Sequence, residues 1–223
     1  MSKKFLSYIW PITRRFSSEV NGTLEVTYVN GKKILDTENA NYSYGSLQKI
    51  LEIGLTKVDL KSVENLLILG MGGGSVIKSL RETFEYQENI VTVEIDPEII
   101  KLAKDEFGIS TSENLQIIQE DAFEYVKTSD LSAGAEERFQ LIIIDLFIDI
   151  NVPPIFYEKE FCDNVSSLLQ KNGFIIFNVG LNLEKKSNIV ETIISNFGNG
   201  FQFEILSKVN RTNTLLIAQK LMS

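Results

Sequence analysis

Gly70, Gly72, Gly73 and Gly74 follow directly on the apolar run Leu66–Leu69 and precede an amphipathic stretch from Val76 to Phe84. A glycine turn between a buried strand and a helix lets the backbone approach a ligand with no Cβ in the way. The next apolar run, Asn89–Val93, ends in Glu94, and a carboxylate there can accept hydrogen bonds from both hydroxyls of a ribose. Two later runs end in the same way: Leu115–Gln119 leads to Asp121-Ala122, and Phe139–Ile144 ends at Asp145. Glycine turn and acidic strand ends together describe a nucleoside-cofactor site. The Gly-x-Gly-x-Gly spacing leaves the third glycine of the Gly-x-Gly-x-x-Gly dinucleotide fingerprint unmatched, which weighs against a nicotinamide dehydrogenase.

The rest of the inventory narrows the chemistry. The 223 residues include no histidine and one cysteine, Cys162. Ser/His/Asp and Cys/His catalysis and the usual zinc ligand sets are thereby excluded, leaving carboxylates, Tyr, Lys and backbone groups. A reaction whose cofactor carries the reactivity suits that set, and no metal is expected. Cys162 falls on the apolar face of a helix and reads as core. A net charge of −8 disfavours nucleic acid as a partner and tolerates a cationic substrate.

These residues need a scaffold, and 223 residues with 43% hydrophobic and 23% charged content suit one globular domain with a small appendage. The N-terminal run through Pro11 has the outline of a signal peptide but lacks a small-residue cleavage site, and no apolar run approaches membrane-spanning length. A cytoplasmic protein with no membrane partner is expected, with Lys3, Lys4, Arg14 and Arg15 as a solvated terminus. Asn30-Gly31 between two β-prone runs predicts a hairpin. The spacing of Leu47, Ile50, Leu51 and Leu55 predicts a helix, with Ser43 and Ser46 as candidate caps. Asp96 and Pro97 start another helix, the aspartate at N-cap and the proline at N1. Residues 129–138 read as a surface loop and Asp149–Pro154 as an irregular one. A helix over 158–169 precedes the stop signal Lys171-Asn172-Gly173 and a strand at Phe174–Asn178. A helix over 184–197 and strands at 201–206 and 214–219 complete the chain, the last two antiparallel because their link is too short for a crossover.

In that succession the chain resembles the class I S-adenosylmethionine-dependent methyltransferase fold and, within it, the spermidine synthase family. The resemblance rests on Leu67–Gly74, Val93–Asp96, Glu120–Ala122, Leu35-Asp36 before a Tyr-rich helix start, Asp145 to Asp149, and Phe156–Phe161. It implies an α/β fold: a Rossmann-like, seven-stranded, mostly parallel sheet with a C-terminal antiparallel hairpin, over 42–223. Residues 1–41 would form the small N-terminal β appendage. It further implies S-adenosylmethionine, or its decarboxylated form, as cofactor. Gly70, Gly72, Gly73 and Gly74 would lie under the methionine part, and Glu94, in one motif with Asp96, on the ribose. Asp121 and Ala122 would meet the adenine, with Asp145 as the catalytic residue facing the transferred group. Asp149 would sit near the acceptor and Tyr42 or Tyr44 over the pocket, in a homodimer joined through its N-terminal strands.

Aminopropyl-transferring relatives carry an aspartate inside the glycine turn, where this chain has Gly73. Methyl transfer to a small-molecule acceptor, an amine among the candidates, is therefore expected ahead of aminopropyl transfer. A non-catalytic nucleoside-binding protein is the other open reading. Transfer from a sulfonium expels a neutral thioether and asks the protein mainly for alignment. An alkylammonium acceptor must lose a proton, at a cost of about 4.6 kcal/mol at pH 7. An aspartate of ordinary pKa is a poor base for it, so Asp145 is expected to orient the amine and take the proton late or through water.

Overall fold

The computed structural model describes residues 3–37, 41–128, 139–148, 151–181 and 187–222. The chain opens with α1 (Lys3–Leu6) and a four-stranded antiparallel sheet of β1 (Ile12–Ser18), β2 (Gly22–Val29), β3 (Lys32–Thr37) and β4 (Asn41–Ser43). Asn30 and Gly31, at φ 49° and 75°, make the predicted β2–β3 turn, because a two-residue turn that follows the strand twist needs left-handed φ at both positions. The last strand, β4, runs across the 41/42 boundary drawn from the sequence.

β1 was not foreseen, since charged Arg14 and Arg15 interrupt its alternation. It is an edge strand, and these arginines are not a loose terminus: Arg14 pairs with Glu106 at 2.6 Å and Arg15 with Glu25 at 2.7 Å.

Next come α2 (Gly45–Leu55), β5 (Asn65–Leu69), α3 (Ser75–Glu82), β6 (Asn89–Glu94), α4 (Pro97–Phe107), β7 (Leu115–Gln119) and α5 (Ala122–Thr128). Then follow β8 (Phe139–Ile144), a 3₁₀ turn at Pro154–Tyr157, α6 (Lys159–Leu168), β9 (Leu169–Leu181), α7 (Ser187–Phe197), β10 (Phe201–Val209) and β11 (Asn213–Lys220). Seven strands form one sheet in the order β10-β11-β9-β8-β5-β6-β7. β5 to β9 are mutually parallel where they pair, and β11 runs antiparallel to both its neighbours. This is the fold the resemblance implied.

The apolar runs of β5 and β8 are buried on both faces, as strands covered by helices on either side must be. Alternate side chains feed two cores. Leu67, Leu69, Ile142 and Ile144 pack with Phe123, Phe161, Val165 and Ile193 of α5, α6 and α7. Leu66, Ile68, Leu141 and Ile143 pack with Leu51, Leu55, Ile77 and Leu80 of α2 and α3. Each such side chain contributes about 1.5–3 kcal/mol on burial. A third cluster of Leu24, Val26, Leu35, Ile99 and Leu102 fastens the N-terminal sheet to α4. Cys162 is core, as expected, and burial pushes its thiol up to about 12.

Three local expectations are corrected. Neither Ser43 nor Ser46 caps α2; Tyr44 stands at the N-cap, with φ 72° and no side-chain cap, because tertiary contacts described below hold it there. The Asn172-Gly173 signal lies inside β9, which begins as soon as α6 ends; Asn172 takes the positive φ of 63° locally and the strand continues. α5 had no counterpart in the sequence reading, being two turns long and capped by a residue assigned to the ligand. The predicted loop at 129–138 lies outside the described residues.

Candidate functional site

The carboxyl ends of β5, β6, β7 and β8 converge where chain order reverses about β5, the place at which an open parallel sheet leaves a crevice. Leu69 accepts a hydrogen bond from the Asp145 N–H at 2.9 Å, and Val93 accepts one from the Gly70 N–H at 3.0 Å, so three strand ends are stitched at the turn. Gly70 has φ 90°, and a Cβ there would stand 2.2 Å from the Asp145 carbonyl oxygen. Nothing larger than glycine fits. Gly74, at φ 81°, is the N-cap of α3, and its bare face meets Ile109 instead of the crevice.

Glu94 is buried and closes the opposite side of the turn. Its Oε2 accepts from the Gly72 N–H at 3.0 Å and its Oε1 from the Asp96 N–H at 3.1 Å. Burial pushes its carboxyl up to about 7 against the pull of these amides. The same carboxylate thus shapes the glycine turn and offers its remaining lone pairs to the cleft.

The cleft measures about 550 Å³, counting space continuous with solvent. Gly70, Glu94, Asp121, Ala122 and Asp145 line it, with Val93, Ile95, Phe147 and Phe156 as apolar walls. Five sequence-predicted site residues therefore meet in one place. Asp121 caps α5, its Oδ1 accepting from Phe123 and Glu124 N–H at 2.8 and 3.1 Å, which sets Ala122 against the cleft. Asp145 is half-buried, accepts from Asn178 Nδ2 at 2.8 Å, and is raised to about 6 by burial, with the Asn178 bond pulling downward.

Other predicted residues stand outside the cleft wall. Asp96 caps α4 through the Glu98 and Ile99 amides, and its Oδ2 accepts from Ser18 Oγ and, at 2.7 Å, from Asn21 Nδ2. Its carboxylate ties the β1–β2 turn over the cleft. Tyr44 stacks on Phe107 at 4.4 Å between centroids and donates its hydroxyl to the Gly73 carbonyl at 3.1 Å. Gly73 is packed from the same side: a Cβ would lie 3.1 Å from Ser43 Cβ and 3.2 Å from Tyr44 Cε2. Tyr42 belongs to β4, and Asp149 lies outside the described residues.

The sequence reading missed Val20 and Asn21, which line the cleft from the N-terminal sheet. Asn21 Oδ1 is buried there without a hydrogen-bond partner. Asn21-Gly22 is a turn signal, but nothing local in it points to β6. Asn178 was also missed, although a polar residue ending a core strand is the signal that marked Glu94 and Asp145.

Fold and cleft together define a Rossmann-like protein with the class I methyltransferase type of fold. Residues 49–214 match the spermine/spermidine synthase domain, and the chain belongs to that family. It is 29% identical over 142 residues to the polyamine aminopropyltransferase of Vibrio vulnificus, across 64% of this chain and 46% of that protein. It is 31% identical over 122 residues to the human eEF1A lysine and N-terminal methyltransferase, across 51% of this chain and 17% of the relative. The matches thus span less than half the length of either relative. The solved structure of human methyltransferase-like protein 13 in complex with SAH superposes with a TM-score of 0.66 at 24% identity, covering 80% of this chain and 83% of that one, a likeness of fold. Among the described residues no helix is long and apolar enough to cross a membrane.

Proposed function

We propose that the chain is a transferase that binds S-adenosylmethionine in this cleft and transfers its methyl group to a small acceptor, an amine being the class the acidic cleft favours. The observation that carries the reading is the joining of the Gly70–Gly72 turn to Glu94, a built cradle for a nucleoside with an acceptor at the ribose position. The residues fit such a ligand in two respects. Gly70 lines the cleft with backbone alone, and Glu94 lines it with lone pairs left beyond its two backbone amides. When bound, the sulfonium supplies an electrophilic methyl carbon and a neutral leaving group.

Asp145 then has one task, to hold the acceptor amine by a charge-assisted hydrogen bond and take its proton. At about 6 its carboxyl is a better base than an ordinary aspartate. The proton-transfer gap to an amine of pKa near 10.4 narrows from about 9 to about 6 kcal/mol. Gly73 supports methyl over aminopropyl transfer. The space an aspartate side chain would need beside the glycine turn is filled by Ser43 and Tyr44.

Calorimetric titration with S-adenosylmethionine, decarboxylated S-adenosylmethionine and methylthioadenosine tests the reading. S-adenosylmethionine is expected to bind tightest; preference for the decarboxylated form would make the chain an aminopropyltransferase, and no binding of any of the three would sink both. Glu94→Ala is expected to weaken binding about 30- to 150-fold, the loss of charge-assisted bonds of about 2–3 kcal/mol in total.

The same titration has an expected pH dependence. Glu94 is raised to about 7, so the free protein carries it largely protonated at pH 6, whereas accepting two hydroxyls favours the carboxylate. Affinity should therefore rise as pH increases from 6 to 8, by up to about tenfold per pH unit below the midpoint for a single linked proton. Glu94→Gln should bind weakly with a flat profile through that window. An equally steep profile in Glu94→Gln would assign the titration elsewhere.

A further inference from the structure

Asp145 does not hold its orientation alone. Its Oδ1 accepts from Asn178 Nδ2 at 2.8 Å, and Asn178 is fully buried in β9 behind the cleft wall. Asn178 Oδ1 in turn accepts from two donors, Asn213 Nδ2 at 2.9 Å and the Gly180 N–H at 3.2 Å. Asn213 is itself buried at the start of β11, and neither asparagine lines the cleft. The strand ends are irregular where this happens: Gly180 has φ 91°, and the β9–β11 register shifts between Thr214 and Leu215.

We infer that Asn178 and Asn213 are positioning residues for Asp145, a two-amide relay from β11 through β9 that ties back Oδ1 and leaves Oδ2 for the acceptor. The inference deepens the proposed assignment of Asp145 and rests on it for its catalytic meaning. The physical argument concerns which end of the Asn178 amide faces the carboxylate. An asparagine can present oxygen or nitrogen at nearly equal steric cost, and its neighbours decide. Here two donors claim the oxygen, so the nitrogen must face Asp145, and a donor in that place favours the ionised carboxylate. Without the Asn213 donor only the Gly180 N–H, at 3.2 Å, still holds the oxygen, so the amide is less firmly fixed, and an oxygen turned to Asp145 favours the protonated acid.

The surroundings leave this task to the relay. Glu94, Glu120 and Asp121, at the ends of β6 and β7, are the other acidic residues lining the cleft, and no Lys or Arg stands among the described residues lining it. Burial opposes ionisation of Asp145, and the Asn178 donor is the contact that counters it.

The experiment is a carboxyl-carbon NMR titration of the ligand-free full chain labelled at aspartate, with the Asp145 signal assigned from its loss in Asp145→Asn. In Asn213→Leu, which keeps the volume and removes the donor, the Asp145 midpoint is expected to rise by about one pH unit or more. Asn178→Ala should raise it at least as far. A merely structural role would lower Tm without moving the midpoint, so an unmoved midpoint in folded Asn213→Leu overturns the relay. Should Asn178→Ala fail to fold, Asn213→Leu alone decides. No ligand enters this titration, so its failure is separable from failure of the binding assignment. A shifted midpoint in a protein that binds no S-adenosylmethionine keeps the relay and removes the cofactor.

Discussion

Gly70→Ala should lower Tm by about 10 °C and abolish nucleoside binding in whatever fraction folds. The added methyl would stand 2.2 Å from the Asp145 carbonyl oxygen and 2.9 Å from its carbonyl carbon, both backbone atoms of a buried strand end that cannot swing aside. The residue must also keep φ 90°, which an L side chain tolerates poorly. Summing about 1–2 kcal/mol for the left-handed backbone and about 1–3 kcal/mol for overpacking gives a loss of about 2–5 kcal/mol. At about 2–4 °C per kcal/mol for a chain of this length, the Tm change follows. Gly108→Ala is the control: it shares a positive φ of 75° but meets nothing within 4 Å, so it should cost only the backbone part, about 1 kcal/mol. If thermal unfolding finds the two variants equally stable, the close packing of the β5 and β8 ends is not what demands glycine at 70.

Asp145→Asn is expected to reduce turnover by about 10²- to 10⁴-fold while leaving S-adenosylmethionine affinity within about threefold. The variant side chain would turn its oxygen to the Asn178 donor, because two NH₂ groups cannot face each other there. That leaves a donor pointing at the acceptor amine, in place of the acceptor the amine requires. S-adenosylhomocysteine formation across a panel of amines, set beside calorimetry, separates the effects; equal loss of both would refute the role. Stability should move the other way. Asp145 is raised to about 6 in the fold, above the ordinary aspartate value, so the folded chain holds this proton between roughly pH 4 and pH 6. The contribution is favourable below that window and lost as pH rises through about 6. At pH 8 the variant should be at least as stable as the parent, the sign expected of a carboxylate held for chemistry at a cost to the fold.

The contrast between these two residues and their neighbours shows where sequence reasoning stops. Gly70, Glu94 and Asp145 were legible because each ends a largely apolar run, and such runs are what strands buried on both faces must be. Asp96 was legible in one role, as the N-cap before Pro97, but its second role needed Ser18 and Asn21, 78 and 75 positions away. Gly74 looked like part of the ligand turn, yet its missing side chain serves Ile109. Tyr42 or Tyr44 is the pocket cover the resemblance implies; what the sequence does not show is that Tyr44 stacks on Phe107 and donates to the Gly73 carbonyl, at the expense of an ordinary helix cap.

What the sequence by itself determined is the order of strand, turn and helix, the family that order resembles, and the acidic strand ends that give the cleft its chemistry. These follow from local properties: hydrophobic period, glycine's freedom at positive φ, and carboxylates where apolar runs stop. Only the tertiary structure decided which of those residues face one another, which are consumed in capping, that Asn21 lines the cleft, and that Asn178 and Asn213 stand in line behind Asp145. A short polar side chain carries no sign of its partner, and its hydrogen bond exists only once the fold has brought two distant strand ends within 3 Å.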